Sequence, residues 1–202
     1  MKGHFDETIL TSPKGSTVTS YIEREIKVRV ISPSLERVKE ELMRVGKLIS
    51  VEEQEDTYYA FRYRDFGATD EALRVRRAND KTELTYKGPR GSVGVKSREE
   101  VTISVDSADK VNILLQRLGF TPLAKIRKNR INFLYRDLVI SLDQVDGLGL
   151  FIEFEGNRIE ESELIREAEH LVRELGINGE RENRTYLEML MEEHGRMCGD
   201  TH

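Results

Sequence analysis

Residues 21–30 read Tyr-Ile-Glu-Arg-Glu-Ile-Lys-Val-Arg-Val. In a strand, successive side chains point to opposite faces, so Glu23, Glu25, Lys27 and Arg29 share one side while Ile22, Ile26, Val28 and Val30 share the other. Arg24 alone interrupts the apolar row. The apolar side therefore packs, and the side with two carboxylates and two cations faces something wet or ionic. Carboxylate pairs hold divalent cations, and Lys and Arg hold phosphate.

The segregation recurs along the chain. Arg74 and Arg76 oppose Leu73 and Val75; Thr85 and Lys87 oppose Leu84 and Tyr86; Lys96, Arg98, Glu100, Thr102 and Ser104 oppose Val101, Ile103 and Val105. Farther on, Lys128, Arg130 and Asn132 oppose Ile131, Phe133 and Tyr135; Ser141 and Asp143 oppose Ile140 and Leu142; Glu153 and Glu155 oppose Ile152 and Phe154. Charge keeps to one face, basic in the middle of the chain and acidic at its two ends. One Glu-x-Glu-x-Lys run in a chain this charged is ordinarily a solvated strand face; an ordered series of such runs is not.

Length and composition set the frame. The 202 residues suffice for one generous domain with a buried core. Charged residues make up 34% of the chain, yet the signs interleave and the apolar periodicity is strong, which argues against disorder. A net charge of -5 gives no general basic field, so a nucleic-acid partner is not expected. The single cysteine, Cys198, excludes an internal disulfide framework and a cysteine-rich zinc site. No apolar run approaches membrane-spanning length and the N-terminus lacks a signal-peptide core, so the expectation is a cytoplasmic protein with no membrane partner.

The expected organisation is a mobile leader over residues 1–20, a single domain over 21–192 and a tail over 193–202. Strand-to-helix units recur within the domain. Ser32-Pro33 signals the start of a helix with Val38, Leu42 and Val45 at helical spacing before Gly46. Asp106-Ser107 precedes Val111, Leu115 and Leu118, ended by Gly119; a third helix from about Glu161 carries Leu164, Ala168, Leu171 and Leu175 before Gly176. Asn79-Asp80 and Asp146-Gly147 mark hairpin turns. The first two units look like a duplicated half-domain. The expected fold is α+β, a closed antiparallel β-barrel of about eight strands with helices packed outside and charge lining an interior wide enough for one small ligand.

Several other signals lead nowhere. Gly94-Val-Lys96-Ser97 lacks the run of a phosphate loop and reads as part of a rim over 88–97; Gly147-Leu-Gly149 does not continue into a dinucleotide fingerprint. His4, His170, His194 and His202 have no metal-ligand spacing, and Ser-His-Asp chemistry has no foothold.

Glu23-x-Glu25-x-Lys27, Leu73-Arg-Val-Arg76, Thr85-Tyr-Lys87-Gly-Pro89, Arg98-Glu-Glu100, Lys128-x-Arg130, Leu142-Asp143 and Leu148-Gly-Leu-Phe151-Ile-Glu153-Phe-Glu155, in that order, resemble the CYTH superfamily, the triphosphate tunnel metalloenzymes. That superfamily includes class IV adenylyl cyclases, thiamine triphosphatases and inorganic triphosphatases. Residues 52–59, 65–76 and 142–155 look most like the class IV adenylyl cyclase branch. The resemblance implies Mg2+ or Mn2+ held by Glu23, Glu25, Asp143, Glu153 and Glu155, and a triphosphate gripped by Lys27, Arg74, Arg76, Lys87, Arg98, Lys128 and Arg130. It places Lys27, Glu23 and Glu25 among the catalytic residues. Glu100 is expected to orient Arg98 or a lysine, and Arg184 and Tyr186 to close one mouth of the tunnel.

The function so implied is a metal-dependent enzyme acting on ATP or another triphosphate-containing small molecule, with a homodimer compatible. The leading reaction is conversion of ATP to cyclic AMP and pyrophosphate. The alternatives are an inorganic, thiamine or nucleoside triphosphatase, and a non-catalytic polyphosphate-binding module.

Overall fold

The computed structural model describes residues 10–11, 17–91, 96–156 and 158–199. The middle of the rim expected over 88–97, most of the expected leader and the last three residues of the expected tail lie outside that set. The elements in chain order are β1 (Leu10–Thr11), β2 (Thr17–Ser32), α1 (Leu35–Val45), β3 (Lys47–Phe61), β4 (Ala72–Ala78), β5 (Lys81–Lys87) and β6 (Lys96–Val105). They continue with α2 (Ala108–Arg117), β7 (Phe120–Tyr135), β8 (Leu138–Val145), β9 (Gly149–Glu155), α3 (Glu161–Glu174), β10 (Asn178–Arg181) and α4 (Tyr186–Gly199).

The strands form one hydrogen-bonded sequence, β1-β2-β6-β5-β4-β3-β7-β8-β9, and β2 pairs again with β9, which closes the ladder. Two-residue β1 and four-residue β10 are short additions that pair with β2. Removing them leaves a ring of eight strands, the closed α+β barrel topology the alternation calls for.

The chain divides into two compact units, one ending at Arg24 and resuming over Gln54–Lys125, the other comprising Glu25–Glu53 and Ile126 onward. In the first, β4, β5 and β6 form an antiparallel meander in register Arg74↔Thr85 and Lys87↔Glu100. Its apolar side carries Tyr59, Leu73 and Val75 against Ala108, Val111 and Leu115 of α2. Ser107 caps α2, its hydroxyl accepting from the Lys110 amide.

In the second unit, β7, β8 and β9 run antiparallel in register Arg130↔Asp143 and Ser141↔Glu153, and β9 pairs with β2 in register Lys27↔Glu153. Phe133, Ile140, Leu142, Ile152 and Phe154 are wholly buried on the side away from the charges. Helix α1 packs on β8 and α3 on β9, burying Val38 and Leu42 of α1 and Leu164, Ala168 and Leu171 of α3. Helices thus cover apolar strand faces in both units and leave the charged faces to one another's side chains.

The boundaries differ from expectation in three places. Ser34, not Ser32-Pro33, caps α1, accepting from the Arg37 amide; Ser32 still belongs to β2, where it pairs with Asn178 of β10. Strand β2 begins at Thr17 and pairs with β1, so two pieces of the expected leader are strand. Helix α4 runs through Gly199, past the expected start of the tail. The turns fall where the sequence puts them, with Asn79 at φ 50 and Gly147 at φ 75.

Neighbouring leucines on α2 test the packing argument. Leu115 is 5% exposed and Leu114 57% exposed. Leu115→Ala should cost about 2–5 kcal/mol, the range for a buried leucine losing its contacts, while Leu114→Ala should fall within about 0.5 kcal/mol of the parent. Denaturant unfolding of both variants measures the difference; equal losses would show that α2 does not pack as described.

Candidate functional site

Alternation on β4, β5 and β6 places Arg74, Arg76, Thr85, Lys87, Glu100 and Thr102 on one side of the first unit's meander. The Lys87 ammonium donates to both Glu23 oxygens at 2.9 and 3.1 Å and lies 2.6 Å from Glu100 Oε2. Arg98 lies 3.7 Å from Glu23. Arg76 forms a two-pronged pair with Asp56, both bonds 2.7 Å. Arg74 reaches Asp56 and Glu100 at 3.8 Å and donates to Thr85 Oγ1 at 3.4 Å. The Arg74 Nε–H is buried and finds no acceptor among the described residues.

The protonation states follow from this pairing. Burial opposes the charge on Lys87, but Glu23 and Glu100 outweigh it and raise the lysine above its ordinary value. Burial likewise opposes the charge on Glu100, but Lys87 and Arg74 hold its carboxyl down at about 2. Arg74 is fixed in its charged form against burial, chiefly by Asp56. The array sets Arg74, Arg76, Lys87 and Arg98 against Glu23, Asp56 and Glu100, with Glu83 on the same strand face opposite Arg76.

A second array lies in the second unit, centred on Asp143, whose side chain is inaccessible to solvent. Its Oδ2 accepts from the Lys128 ammonium at 2.9 Å and from the Tyr186 hydroxyl at 2.9 Å, and its Oδ1 accepts from Arg130 Nε at 2.7 Å. Burial pushes the Asp143 carboxyl up, but Arg130 and Lys128 outweigh it and hold it below the usual carboxylate range. Glu153 is shared between Arg130 and the Lys27 ammonium, the latter at 3.2 Å. Lys27 also reaches Glu25 at 3.8 Å and donates to the Arg184 carbonyl at 3.3 Å. Burial, with Glu153 and Asp143 nearby, raises Tyr186 well above an ordinary phenol, so it stays a donor. Here Glu25, Asp143, Glu153 and Glu155 share a strand-face array with Lys27, Arg29, Lys128 and Arg130.

Whether a divalent cation fits depends on the donors. Glu25 stands directly opposite Glu155 on the β2–β9 ladder, one step of alternation from Lys27 opposite Glu153. Directly opposed strand residues have Cβ atoms about 4.5–5.5 Å apart, and like charges so placed destabilise the pair. A hard divalent ion with oxygen ligands relieves that repulsion, so the opposed pair Glu25 and Glu155 fits Mg2+ or Mn2+ in type and charge, while Glu153 is held by Lys27 and Arg130. Asp143 is engaged by three donors instead, and Glu23 belongs to the first unit, where Lys87 and Arg98 hold it. Among the described residues, no three His, Cys, Asp or Glu converge as a ready-made metal centre.

The expected cations fall on the expected faces. Lys128 is buried while Arg127 and Lys125 are exposed, which settles the register of β7. Glu100 sits against Lys87 and Arg74, the orienting position expected of it. Arg184 turns its guanidinium to Glu182 and Glu192, and Tyr186 lies within the second array. Asp56 was not singled out in the sequence, although the alternation Gln54, Asp56, Tyr58 on β3 would have put it on the charged face.

The CYTH domain profile matches residues 21–186. A Methanocaldococcus jannaschii protein named "Putative adenylate cyclase MJ0240" is 40% identical over 135 residues, 66% of this chain and 76% of that protein. The PH1819 protein of Pyrococcus horikoshii shares 37% identity at a TM-score of 0.73, over 85% of this chain and 99% of its own. A Hippeastrum protein, HpAC1, described as a putative adenylyl cyclase with a dominant triphosphatase activity, shares the fold at a TM-score of 0.67 and 20% identity, covering 85% of this chain and 96% of its own.

The pairing in the first unit predicts a pH dependence. Glu100 is held at about 2, against about 4.3 for an ordinary glutamate. Its contribution is therefore complete above the ordinary value and lost as pH falls through about 2. Glu100→Gln should cost about 1.5–3 kcal/mol at neutral pH, the range for a hydrogen bond to a charged group. Melts of parent and variant from neutral to acid pH should converge as pH falls. A gap that does not change with pH would mean that folding does not lower the Glu100 pKa.

Proposed function

The chain belongs to the CYTH domain family, and from that premise we propose that it is a metal-dependent enzyme acting on a triphosphate, with conversion of ATP to cyclic AMP and pyrophosphate as the leading reaction. The observation that carries this reading is the gathering of buried arginines and lysines beside carboxylates on one strand face in each unit, with Glu25 directly opposed to Glu155. Arginine forks and lysine ammoniums suit phosphate oxygens, and the buried Nε–H of Arg74 is a donor ready for one. Glu25 and Glu155 are the residues to hold Mg2+ or Mn2+, its remaining positions being left to phosphate oxygens and water.

When bound, the metal supplies positive charge that lowers the pKa of a coordinated hydroxyl and stabilises phosphoryl oxygens. The chain's own residues do the rest. In the first unit Arg74, Arg76, Lys87 and Arg98 are the residues to bind phosphate oxygens, and in the second Lys27, Lys128 and Arg130 are the residues to neutralise phosphoryl charge. In cyclisation the ribose 3'-hydroxyl gives up its proton to solvent water and its oxygen forms a bond to the α-phosphorus, while the bond from that phosphorus to the bridging oxygen breaks and the electron pair leaves on pyrophosphate. The buried partners Asp56, Glu100 and Asp143 keep these cations oriented before substrate arrives.

A second reading, hydrolysis of a triphosphate by water, is supported by the fold shared with HpAC1 and by that protein's recorded triphosphatase activity. Both reactions use the same cations and differ in which phosphorus is attacked. A binding module without catalysis would gain nothing from opposing Glu25 and Glu155.

Incubation with ATP and with inorganic triphosphate, each with Mg2+ or Mn2+, followed by product identification, separates the readings. Cyclic AMP and pyrophosphate are expected from ATP; orthophosphate from either substrate would establish the hydrolase; no turnover with either would leave only binding. Glu155→Gln should lower turnover by at least about 100-fold with the melting temperature at or above the parent's, because it removes one of two opposed charges. Near-parent turnover at saturating metal would remove Glu155 from the metal site.

A further inference from the structure

Tyr186 is the first residue of α4, and it enters the second unit's ionic array from outside the strands that build it. Its hydroxyl donates to Asp143 Oδ2 at 2.9 Å. Its ring lies beneath two ammonium groups, Lys27 Nζ at 4.1 Å and Lys128 Nζ at 4.9 Å from the centroid. The edge of Phe151 meets it at 5.1 Å between centroids, nearly perpendicular at 67°. The residue is 6% exposed.

The helix start is itself fixed. The Thr185 hydroxyl accepts from the Glu188 amide at 3.1 Å, and Glu188 Oε2 accepts in return from the Thr185 amide, a reciprocal cap. One residue earlier, the Arg184 carbonyl accepts from Lys27. The backbone on either side of Tyr186 is thus pinned, and the ring has little freedom to leave.

Lysine is the cation that most needs such a partner. Its ammonium sits on a flexible four-carbon stem and lacks the planar fork that pre-orients arginine. An aromatic face attracts an ammonium without neutralising it, unlike a carboxylate, so the cation keeps its charge for an incoming anion. We propose that Tyr186 is a positioning residue: its ring holds the Lys27 and Lys128 ammoniums in place for an oxyanion ligand, while its hydroxyl rests on Asp143, the counter-charge of Lys128. This rests on the reading of Lys27 and Lys128 as phosphate-binding residues. It makes the start of α4 part of the functional array.

Tyr186→Phe keeps the ring and removes the hydroxyl; Tyr186→Leu removes both. Two measurements on the full-length chain separate the roles. First, an aromatic ring shifts the resonances of methylenes above its face upfield, so the Lys27 and Lys128 ε-methylene signals should be shifted in the parent and in Tyr186→Phe, and return toward ordinary lysine values in Tyr186→Leu. Second, calorimetric titration with inorganic triphosphate in the absence of divalent metal should give affinities within about twofold for Tyr186→Phe and about tenfold weaker for Tyr186→Leu, a change of about 1.4 kcal/mol.

Unshifted lysine signals in the parent would overturn the proposal, as would a tenfold loss in Tyr186→Phe, which retains the ring. That measurement stands even if Tyr186→Leu fails to fold. If Tyr186→Leu loses the lysine shifts but binds triphosphate as tightly as the parent, the lysines are not phosphate ligands, and the functional half of the proposal falls with that reading.

Discussion

The structure depends on the pairing of buried charge. Asp143 is inaccessible to solvent, Asp56 and Glu100 nearly so, and an isolated carboxylate in such a place would be strongly disfavoured. Each is accommodated because β-alternation brings cations to the same face: Lys128 and Arg130 to Asp143, Arg74 and Arg76 to Asp56, Lys87 to Glu100. Replacing such pairs by apolar residues is often neutral or stabilising in other proteins, so their retention here points to a use for the charges beyond holding the fold. The apolar faces with their helices supply the stability that makes these arrays affordable.

The two arrays use the same strand geometry. In the first unit, Arg74 and Lys87 are held on carboxylates that also keep them charged. In the second, two carboxylates, Glu25 and Glu155, meet across a ladder rung. Such preorganisation is what electrostatic catalysis requires: charges fixed before the ligand arrives, in surroundings where they are weakly screened.

Much of this was legible in the sequence because a period of two assigns faces with no knowledge of the fold. The Glu23–Arg29 row, the Arg74–Arg76 row and the choice of Lys128 and Arg130 over Lys125 and Arg127 all follow from which neighbours are apolar. The eight-strand ring and its outer helices follow from the same alternation with the turn and cap signals. Asp56 escaped because its strand opens with Leu48, Ile49 and Val51, exposed apolar residues that blur the pattern. The start of β2 was missed because Thr, Val and Ser carry little periodicity there. The place of Tyr186 could not be read from local pattern at all: its partners Lys27, Lys128 and Asp143 are distant in sequence, and only tertiary structure brings an α4 side chain among them.

The central claim is that these charged faces exist to take a triphosphate together with a divalent cation. Calorimetric titration of the intact chain with a non-hydrolysable nucleoside triphosphate, run with and without Mn2+, tests it most directly. The account predicts binding in both conditions, tighter with the metal, and weakened by salt as charge-assisted contacts are screened. No heat of binding with or without Mn2+, or binding that neither metal nor salt alters, would contradict it.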